Sequence, residues 1–403
     1  MPVITDPQRI DAFLTRGVEN VYPSRDFVKA RLLEGKKLTM YLGVDPTGPT
    51  LHMGHAIVLK KLREFQDLGH KVILLIGDFT AMIGDPTDKS ATRVRLTRKQ
   101  VLANAKGYKK QAGKILRFSG LNKAELKYNS KWLAKMSFAD VVDLAAHTTI
   151  QQIEARDMFD ARRKEGKPIH THEFLYPLMQ GYDSVAMGVD GEIGGNDQTF
   201  NMLMGRDLMK AMKGKEKFVI TTKLLTDPTG KKMGKSEGNM ITLEDSADDV
   251  FGKIMSWTDG MIEPGFELLT GLPAIQLAAI KDELATGSNP RDVKAHLARE
   301  VVRSFFGDTA AAEASERFDA MFKAHETPTD MPHHRVSGPL NVIDLLVETK
   351  LVASKGEAKR LIDGSGVKVA GAVVKGYDAQ VVPTAEGVVV QKGKRHFIKV
   401  MRG

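Results

Sequence analysis

The stretch from Tyr41 to His55, YLGVDPTGPTLHMGH, constrains this chain more than any other. An apolar run, Leu38 to Val44, leads into it. Apolar residues then recur at helical spacing at Ile57, Val58, Leu62, Phe65 and Leu68, with Gly69 as a stop, and a second apolar run covers Val72 to Ile76. Period and punctuation together predict strand, Gly/Pro turn, helix, strand, which is half of a parallel α/β nucleotide fold. The turn ends in His-x-Gly-His where the helix begins, and free N–H groups and the helix dipole at such a position favour an anion. Gly54 leaves room for a flat ring to approach the backbone.

A second motif lies downstream, in a Gly/Pro-rich segment after Leu224 and Leu225: Lys231, Lys232, Met233, Gly234, Lys235, Ser236. Lysines interleaved with glycine and ending in serine suit a loop folding over a phosphate chain. A P-loop is the rival, but it needs four residues between its glycine and Gly-Lys-Ser. Here Gly230 and Gly234 enclose Lys231, Lys232 and Met233 alone, so the spacing fails.

Taken together the motifs resemble the HIGH and KMSKS signatures of class I aminoacyl-tRNA synthetases. Further patterns narrow the resemblance to the bacterial-type tyrosyl-tRNA synthetases: Tyr41-x-Gly43-x-Asp45-Pro46-Thr47, Ile83-Gly84-Asp85-Pro86, Tyr176-x-x-x-Gln180-x-x-Asp183 and Gly194-Gly195-x-Asp197-Gln198. These occur in the right order and spacing, and the resemblance covers nearly the whole chain.

That resemblance implies an α/β fold: a Rossmann-like parallel-sheet catalytic domain at 1–225 carrying a helical insertion at 89–160, a KMSKS-type loop and α-helical anticodon-arm domain at 226–324, a linker at 325–339, and a small α+β S4-like RNA-binding domain at 340–403. It implies a tyrosine–tRNA ligase using ATP with Mg²⁺, L-tyrosine and tRNA(Tyr), working as a homodimer in the cytoplasm. Tyr41, Thr80, Asp85, Tyr176, Gln180, Asp183 and Gln198 would bind tyrosine, with Tyr41 and Asp183 at the phenol. Gly43, Asp45, His55, Gly195, Asp197 and Lys235 would bind ATP. Thr47, His52, Lys232, Lys235 and Ser236 would stabilise the reacting phosphate. Many relatives have Gln where Glu192 stands and an aromatic where Thr199 stands, so Glu192 is left outside the assigned site. Two alternatives stay open: tryptophan activation, and an RNA-binding regulatory or splicing protein with an inactive synthetase-like core.

The residues themselves support parts of this. Tyr176, Gln180 and Asp183 are spaced by four and three, one face of a helix lining a pocket. A site built to bond a hydroxyl leaves buried groups unpaired when phenylalanine enters. Asp197 after a double glycine suits a ribose diol. No cysteine occurs, which excludes disulfides, thiolate catalysis and Cys zinc sites. His170, His172 and Glu173 have no evident further ligand, so no metal site is assigned, and they are expected in a loop. No apolar run reaches the roughly 18 residues of a membrane helix, and the N-terminus lacks a signal-peptide pattern, so no membrane association is expected.

Charge is segregated. The net charge is +9, yet residues 87–135 hold 14 Lys/Arg against 2 Asp/Glu and residues 338–403 hold 11 against 6. Two basic segments on an otherwise acidic chain suggest a polyanion gripped at two places. The insertion is expected to bury Leu102, Ile115, Leu116, Phe118, Trp132, Leu133, Phe138, Val141, Val142 and Leu144. Further helices are expected at Arg9 to Arg16, Asp26 to Glu34, Ala247 to Ser256, Pro273 to Ala285, Arg291 to Phe306 and Ala310 to Lys323. In the tail, a helix at Val342 to Glu348, a second capped by Ser354, a hairpin at Val367 to Lys375 and paired strands at Val388 to Val400 are expected.

Overall fold

The computed structural model describes residues 2–86, 95–154, 157–226, 240–323, 331–393 and 396–403. The chain divides into two compact units, residues 1–315 and 316–403.

The first unit is built on a six-stranded sheet in the order β1-β6-β5-β2-β3-β4. Its strands are β1 (Val18–Tyr22), β2 (Thr39–Val44), β3 (Lys71–Ile76), β4 (Glu125–Tyr128), β5 (Gly191–Gly195) and β6 (Phe218–Thr222). All neighbours run parallel except β1, which lies antiparallel to β6. The expected β-α-β unit is present: β2 feeds α3 (Met53–Asp67), which returns to β3. Ile57, Val58, Leu62, Phe65 and Leu68 are all buried, and Gly69 takes φ +93°, where a side chain would be strained. The next strand in sequence joins β2 on one side while β5 joins it on the other. A crevice therefore opens at the carboxyl ends of β2 and β5, the switch point where open α/β sheets bind ligands.

Before that unit lie α1 (Pro7–Thr15) and α2 (Arg25–Leu33), close to expectation. The strand β1 between them was not foreseen. The insertion also differs from its expected all-helical form. Glu125–Tyr128 extends the sheet as β4, pairing in parallel with β3. An edge strand of Glu, Leu, Lys and Tyr has little apolar signature, so its partner rather than its composition makes it a strand. Leu116, Leu133 and Leu144 are buried as expected, whereas Leu102, Phe138 and Val142 are exposed. The Thr171–Met187 helix starts before Glu173, so His172 and Glu173 belong to its first turn and not to a loop. Beyond the sheet the expected helices occur as Ala247–Met255, Ala274–Ala285, Pro290–Phe306 and Asp308–Lys323, with an unforeseen helix at Ile262–Leu269.

The second unit holds a five-stranded sheet in the order β10-β9-β12-β13-β7 and a two-stranded pair, β11 with β8. Its strands are β7 (His333–Val336), β8 (Leu340–Asn341), β9 (Val367–Val369), β10 (Ala372–Val373), β11 (Gln380–Val381), β12 (Val388–Lys392) and β13 (His396–Arg402). Helices Val342–Glu348 and Lys355–Asp363 pack into a core of Leu345, Leu346, Ile362, Val390 and Val400. The stretch expected as a linker is strand at its end, since His333–Val336 pairs in parallel with β13.

His70, after α3, illustrates how this core titrates. It is fully buried and stacked on Phe65 at 4.4 Å, and its Nδ1 accepts the Leu38 N–H at 3.2 Å. Burial first, and Lys37 second, pull its pKa down to about 4. The unfolded chain takes up a proton as pH falls through about 6.5, and the folded chain does not until about 4. His70 therefore contributes full stability above about pH 6.5, lost progressively down to about pH 4. Stability is expected to fall by about 2 kcal/mol between pH 7 and pH 5 through this group. Urea titrations of the parent and of His70→Asn, which keeps an acceptor for Leu38, check this. Both tryptophans, Trp132 and Trp257, lie in the first unit, so fluorescence reports on it. The variant should lose that increment of pH dependence.

Candidate active site

A cavity of about 370 Å³ occupies the crevice. Every described residue assigned to the site from sequence lines it: Tyr41, Gly43, Asp45, Thr47, His52, His55, Thr80, Asp85, Tyr176, Gln180, Asp183, Gly195, Asp197 and Gln198. Lys232, Lys235 and Ser236 lie outside the described residues. Leu225 and Met240, on either side of that segment, line the same cavity.

One end is closed and polar. Tyr41 reaches it from β2, fully buried, with its hydroxyl 3.0 Å from Ser184 Oγ. Burial, then the Glu192 and Asp183 carboxylates, raise its pKa well above the usual phenol, so the hydroxyl keeps its proton. Asp183 projects from the Thr171–Met187 helix. Trp132 Nε1 donates to its Oδ1 at 2.7 Å and Asn129 Nδ2 to its Oδ2 at 3.2 Å. Burial pushes the Asp183 carboxyl up, and these two bonds pull against it. Asn129 is buried and also donates to Thr80 Oγ1 at 3.0 Å. Asn129 and Trp132 follow β4, so reading that segment as helix hid both.

The middle of the cavity is a carboxylate knot. Asp45 accepts from Thr80 Oγ1 at 2.7 Å and from Tyr176 OH at 2.9 Å. Asp45, expected on the floor beside the amino acid and phosphate, is thus bonded to two residues expected at the amino acid. A Cβ on Gly77 would fall 1.9 Å from Asp45 Oδ1, so glycine is required there. Gln198 Nε2 donates to Asp85 Oδ2 at 2.8 Å.

At the other end His52 caps α3. Its Nδ1 accepts the Gly54 N–H at 3.1 Å, and His55 Nδ1 accepts the His52 N–H at 3.2 Å. The flat ring that Gly54 admits is therefore His52's own, since a Cβ there would lie 2.9 Å from His52 Cε1. Burial, then neighbouring His52, lower the His55 pKa to about 3, and burial lowers that of His52. With both Nδ1 atoms accepting, each neutral imidazole carries its proton on Nε2, leaving two N–H donors and no formal charge. The signature turn is clasped from the insertion. Asn104 Nδ2 donates to Pro46 O, Tyr108 OH to Gly48 O, and Gln111 Oε1 accepts from Leu51 N–H. None of the three was singled out in sequence, because contacts across some sixty residues leave no local pattern.

Glu192 does belong to the cavity lining, contrary to its omission above. It is buried against Lys217, which is fully buried just before β6 and pairs with it directly. Lys217 Nζ also donates to Ser184 Oγ at 2.9 Å. Burial pulls the Lys217 pKa down, and Glu192 opposes this. The ammonium fits because Gly205 has no Cβ, which would sit 2.6 Å from Nζ. Glu173, to which no metal role is assigned above, is paired with buried Arg162 and accepts the His170 N–H at 2.8 Å.

A closed pocket at a sheet switch point, opening onto a helix start with two imidazole donors, is the arrangement of a nucleotide-dependent α/β domain that also binds a small polar molecule. Residues 33–323 match the family tRNA synthetases class I (W and Y), and the chain belongs to that family. Residues 324–400 match a tyrosine–tRNA ligase SYY-like C-terminal domain. The chain is 44% identical over 393 residues to the tyrosine–tRNA ligase of Moorella thermoacetica, covering 96% of this chain and 94% of that one. It is 43% identical over 390 residues to tyrosine–tRNA ligase 2 of Vibrio cholerae, covering 96% and 97%. The fold is similar to a C-terminally truncated mitochondrial tyrosyl-tRNA synthetase of Aspergillus nidulans, with TM-score 0.65 and 24% identity over 78% of this chain and 94% of that one.

Proposed function

We propose that this protein joins L-tyrosine to tRNA(Tyr) in two steps. The observation that carries the reading is the closed end of the cavity, where a buried phenol hydroxyl, Tyr41, and a buried carboxyl, Asp183, face one small space. Substrate phenol would accept from Tyr41 and donate to Asp183. Its α-ammonium would lie among Tyr176, Gln180, Asp85, Thr80 and Gln198. ATP would occupy the opposite end, with His55, Gly195 and Asp197 around adenosine and Gly43 and Asp45 on the floor between the amino acid and the phosphates, and would bring Mg²⁺ as the counter-ion of its phosphates.

The tyrosine carboxylate attacks the α-phosphorus in line, forming tyrosyl-adenylate and expelling pyrophosphate. The terminal ribose hydroxyl of tRNA then attacks the acyl carbon, and AMP leaves. The attacking carboxylate is already a nucleophile, so positioning and charge stabilisation supply the catalysis. His52 Nε2–H and Thr47 would donate to the crowded phosphate, with Lys232, Lys235 and Ser236 closing over it.

The domain limits given above, with anticodon-arm contacts at 226–324 and an S4-like unit at 340–403, form part of this proposal, as does work in the cytoplasm. No helix among the described residues is long and apolar enough to cross a membrane. A groove of about 640 Å³ lined by Arg63, Lys106, Lys109, Lys110, Lys114 and Arg117 suits the acceptor arm of tRNA. A homodimer is proposed from the Phe138–Ala145 helix, where Phe138 (84% exposed) and Val142 (51%) stand four residues apart on one face. Phe138→Asp is expected to weaken the dimer about tenfold or more, read by sedimentation over a concentration series.

Tyrosine-dependent ATP–pyrophosphate exchange tests the reading, with phenylalanine and tryptophan as controls. Exchange with tyrosine alone is expected. Exchange with tryptophan would overturn the pocket assignment, and none with any amino acid would point to an inactive core that binds RNA.

A further inference from the structure

Behind the closed end of the cavity lies a buried ion pair that the reaction itself does not use. Lys217 and Glu192 are 0% and 1% exposed. Their contacts divide into two arms. In one, Glu192 Oε1 accepts from Gln180 Nε2 at 3.3 Å. Gln180 Oε1 is buried and has no hydrogen-bond partner among the described residues. In the other, Lys217 Nζ donates to Ser184 Oγ, which stands 3.0 Å from Tyr41 OH.

We propose that Glu192 and Lys217 are positioning residues that fix the direction of the hydrogen bonds this pocket offers to tyrosine. The proposal rests on the reading of the cavity as a tyrosine site.

A carboxylate accepts and cannot donate, and an ammonium donates and cannot accept. Facing Glu192, the Gln180 amide must present its NH₂ to the carboxylate. Its carbonyl Oε1 is thereby left as the acceptor for a cation, which is what an α-ammonium requires. A glutamine at 192 could both donate and accept, so the Gln180 amide would lose this constraint.

Facing Lys217, the Ser184 oxygen accepts, and its proton needs another acceptor. The acceptors within reach are Tyr41 OH at 3.0 Å and Glu192 Oε2 at 3.5 Å, and the shorter is the better bond. With Ser184 donating to it, Tyr41 keeps its own proton for the cavity side, where the Glu192 carboxylate is the acceptor that a substrate phenol replaces. The substrate phenol then accepts from Tyr41 and passes its proton towards Asp183. Two fixed charges, Glu192 in the cavity wall and Lys217 behind it, thus order a chain of otherwise reversible hydroxyls. The site is built for the pair, because a Cβ at Gly205 would sit 2.6 Å from Lys217 Nζ and 2.9 Å from Ser184 Oγ.

The test uses the full chain in tyrosine-dependent pyrophosphate exchange, with two variants read against the parent. In Glu192→Gln/Lys217→Met the pair becomes neutral at similar volume, a replacement that buried pairs often tolerate without loss of stability. Its KM for tyrosine is expected to rise about tenfold, with KM for ATP and kcat within about threefold of the parent. In Ser184→Ala the preference for tyrosine over phenylalanine is expected to fall about tenfold at unchanged KM for ATP. A pair that serves folding alone would move the thermal midpoint and leave both ratios parental, and that result overturns the proposal. Should the double variant fail to fold, Ser184→Ala decides, and a parental preference there overturns the proposal as well. Absence of exchange in the parent would instead count against the tyrosine reading, so the two failures are distinguishable.

Discussion

Asp183→Asn is expected to lower kcat/KM for tyrosine activation by about 10²–10³-fold while changing the value for phenylalanine by less than about threefold. Both carboxylate oxygens accept in the free protein, one from Trp132 Nε1 at 2.7 Å and one from Asn129 Nδ2 at 3.2 Å. Trp132 can only donate, and the Asn129 amide is held as a donor because its Oδ1 accepts the Phe79 N–H at 2.9 Å. An asparagine amide must point its NH₂ at one of them, so one buried bond is replaced by a donor-to-donor clash. The remaining carbonyl is then committed to the other donor, and the substrate phenol loses its strongest acceptor. The lost bond to the phenol and an unpaired buried group each cost about 1–3 kcal/mol, and a total of about 3–4 kcal/mol corresponds to the stated range. Phenylalanine makes no such bond and should be nearly indifferent. Pyrophosphate exchange with each amino acid, at fixed ATP, measures both values. A fall shared equally by the two substrates would mean that the variant damages the pocket wall and that Asp183 does not read the hydroxyl.

What the sequence reveals of this site follows the range of each signal. The β2–α3–β3 unit was legible because every cue is local: two apolar runs, a helical period and Gly69 as a stop. Tyr176, Gln180 and Asp183 were legible for the same reason, being spaced along one helix. The second half of each interaction was not. Asn129 and Trp132 hold Asp183 from more than fifty residues away in sequence, at the end of a short strand whose residues read as a basic helix. Lys217 had no signal at all, since a lone lysine before a strand is ordinarily solvated. Glu192 was visible as a departure from the pattern of its relatives, but nothing local named its partner, and the departure alone left it outside the site. Phe138 and Val142 show the opposite failure. Helical periodicity marks an apolar face without saying whether the same chain covers it. His333 and His334 sit in a stretch that Pro and Gly mark as linker, yet a sheet edge formed some sixty residues later recruits them as a strand.

The residue that anchors the pocket helix is expected to be worth more to stability than any that touches substrate. Arg162 is 1% exposed and grips Glu173 with both arms of its guanidinium, at 2.7 and 3.1 Å. Glu173 stands in the first turn of the helix bearing Tyr176, Gln180 and Asp183, and the same carboxylate accepts the His170 N–H ahead of that helix. Burial would raise the Glu173 pKa, but the bond to Arg162 and the one from His170 hold it below the usual glutamate value. Arg162→Met removes the cation and leaves that carboxylate buried, at an expected cost of about 3–5 kcal/mol. Making both partners neutral, as Arg162→Met/Glu173→Gln, should recover much of the loss, since the penalty comes from one unpaired charge more than from the missing bond. Urea unfolding followed by the fluorescence of Trp132, which contacts this helix through Asp183, measures both variants. Catalysis should separate from stability: at low temperature, where Arg162→Met stays folded, its kcat/KM for tyrosine should remain within about tenfold of the parent, because Gln180 and Asp183 lie two to three turns from the anchor. If the double variant is as unstable as the single one, the fork contributes through packing and not through charge compensation.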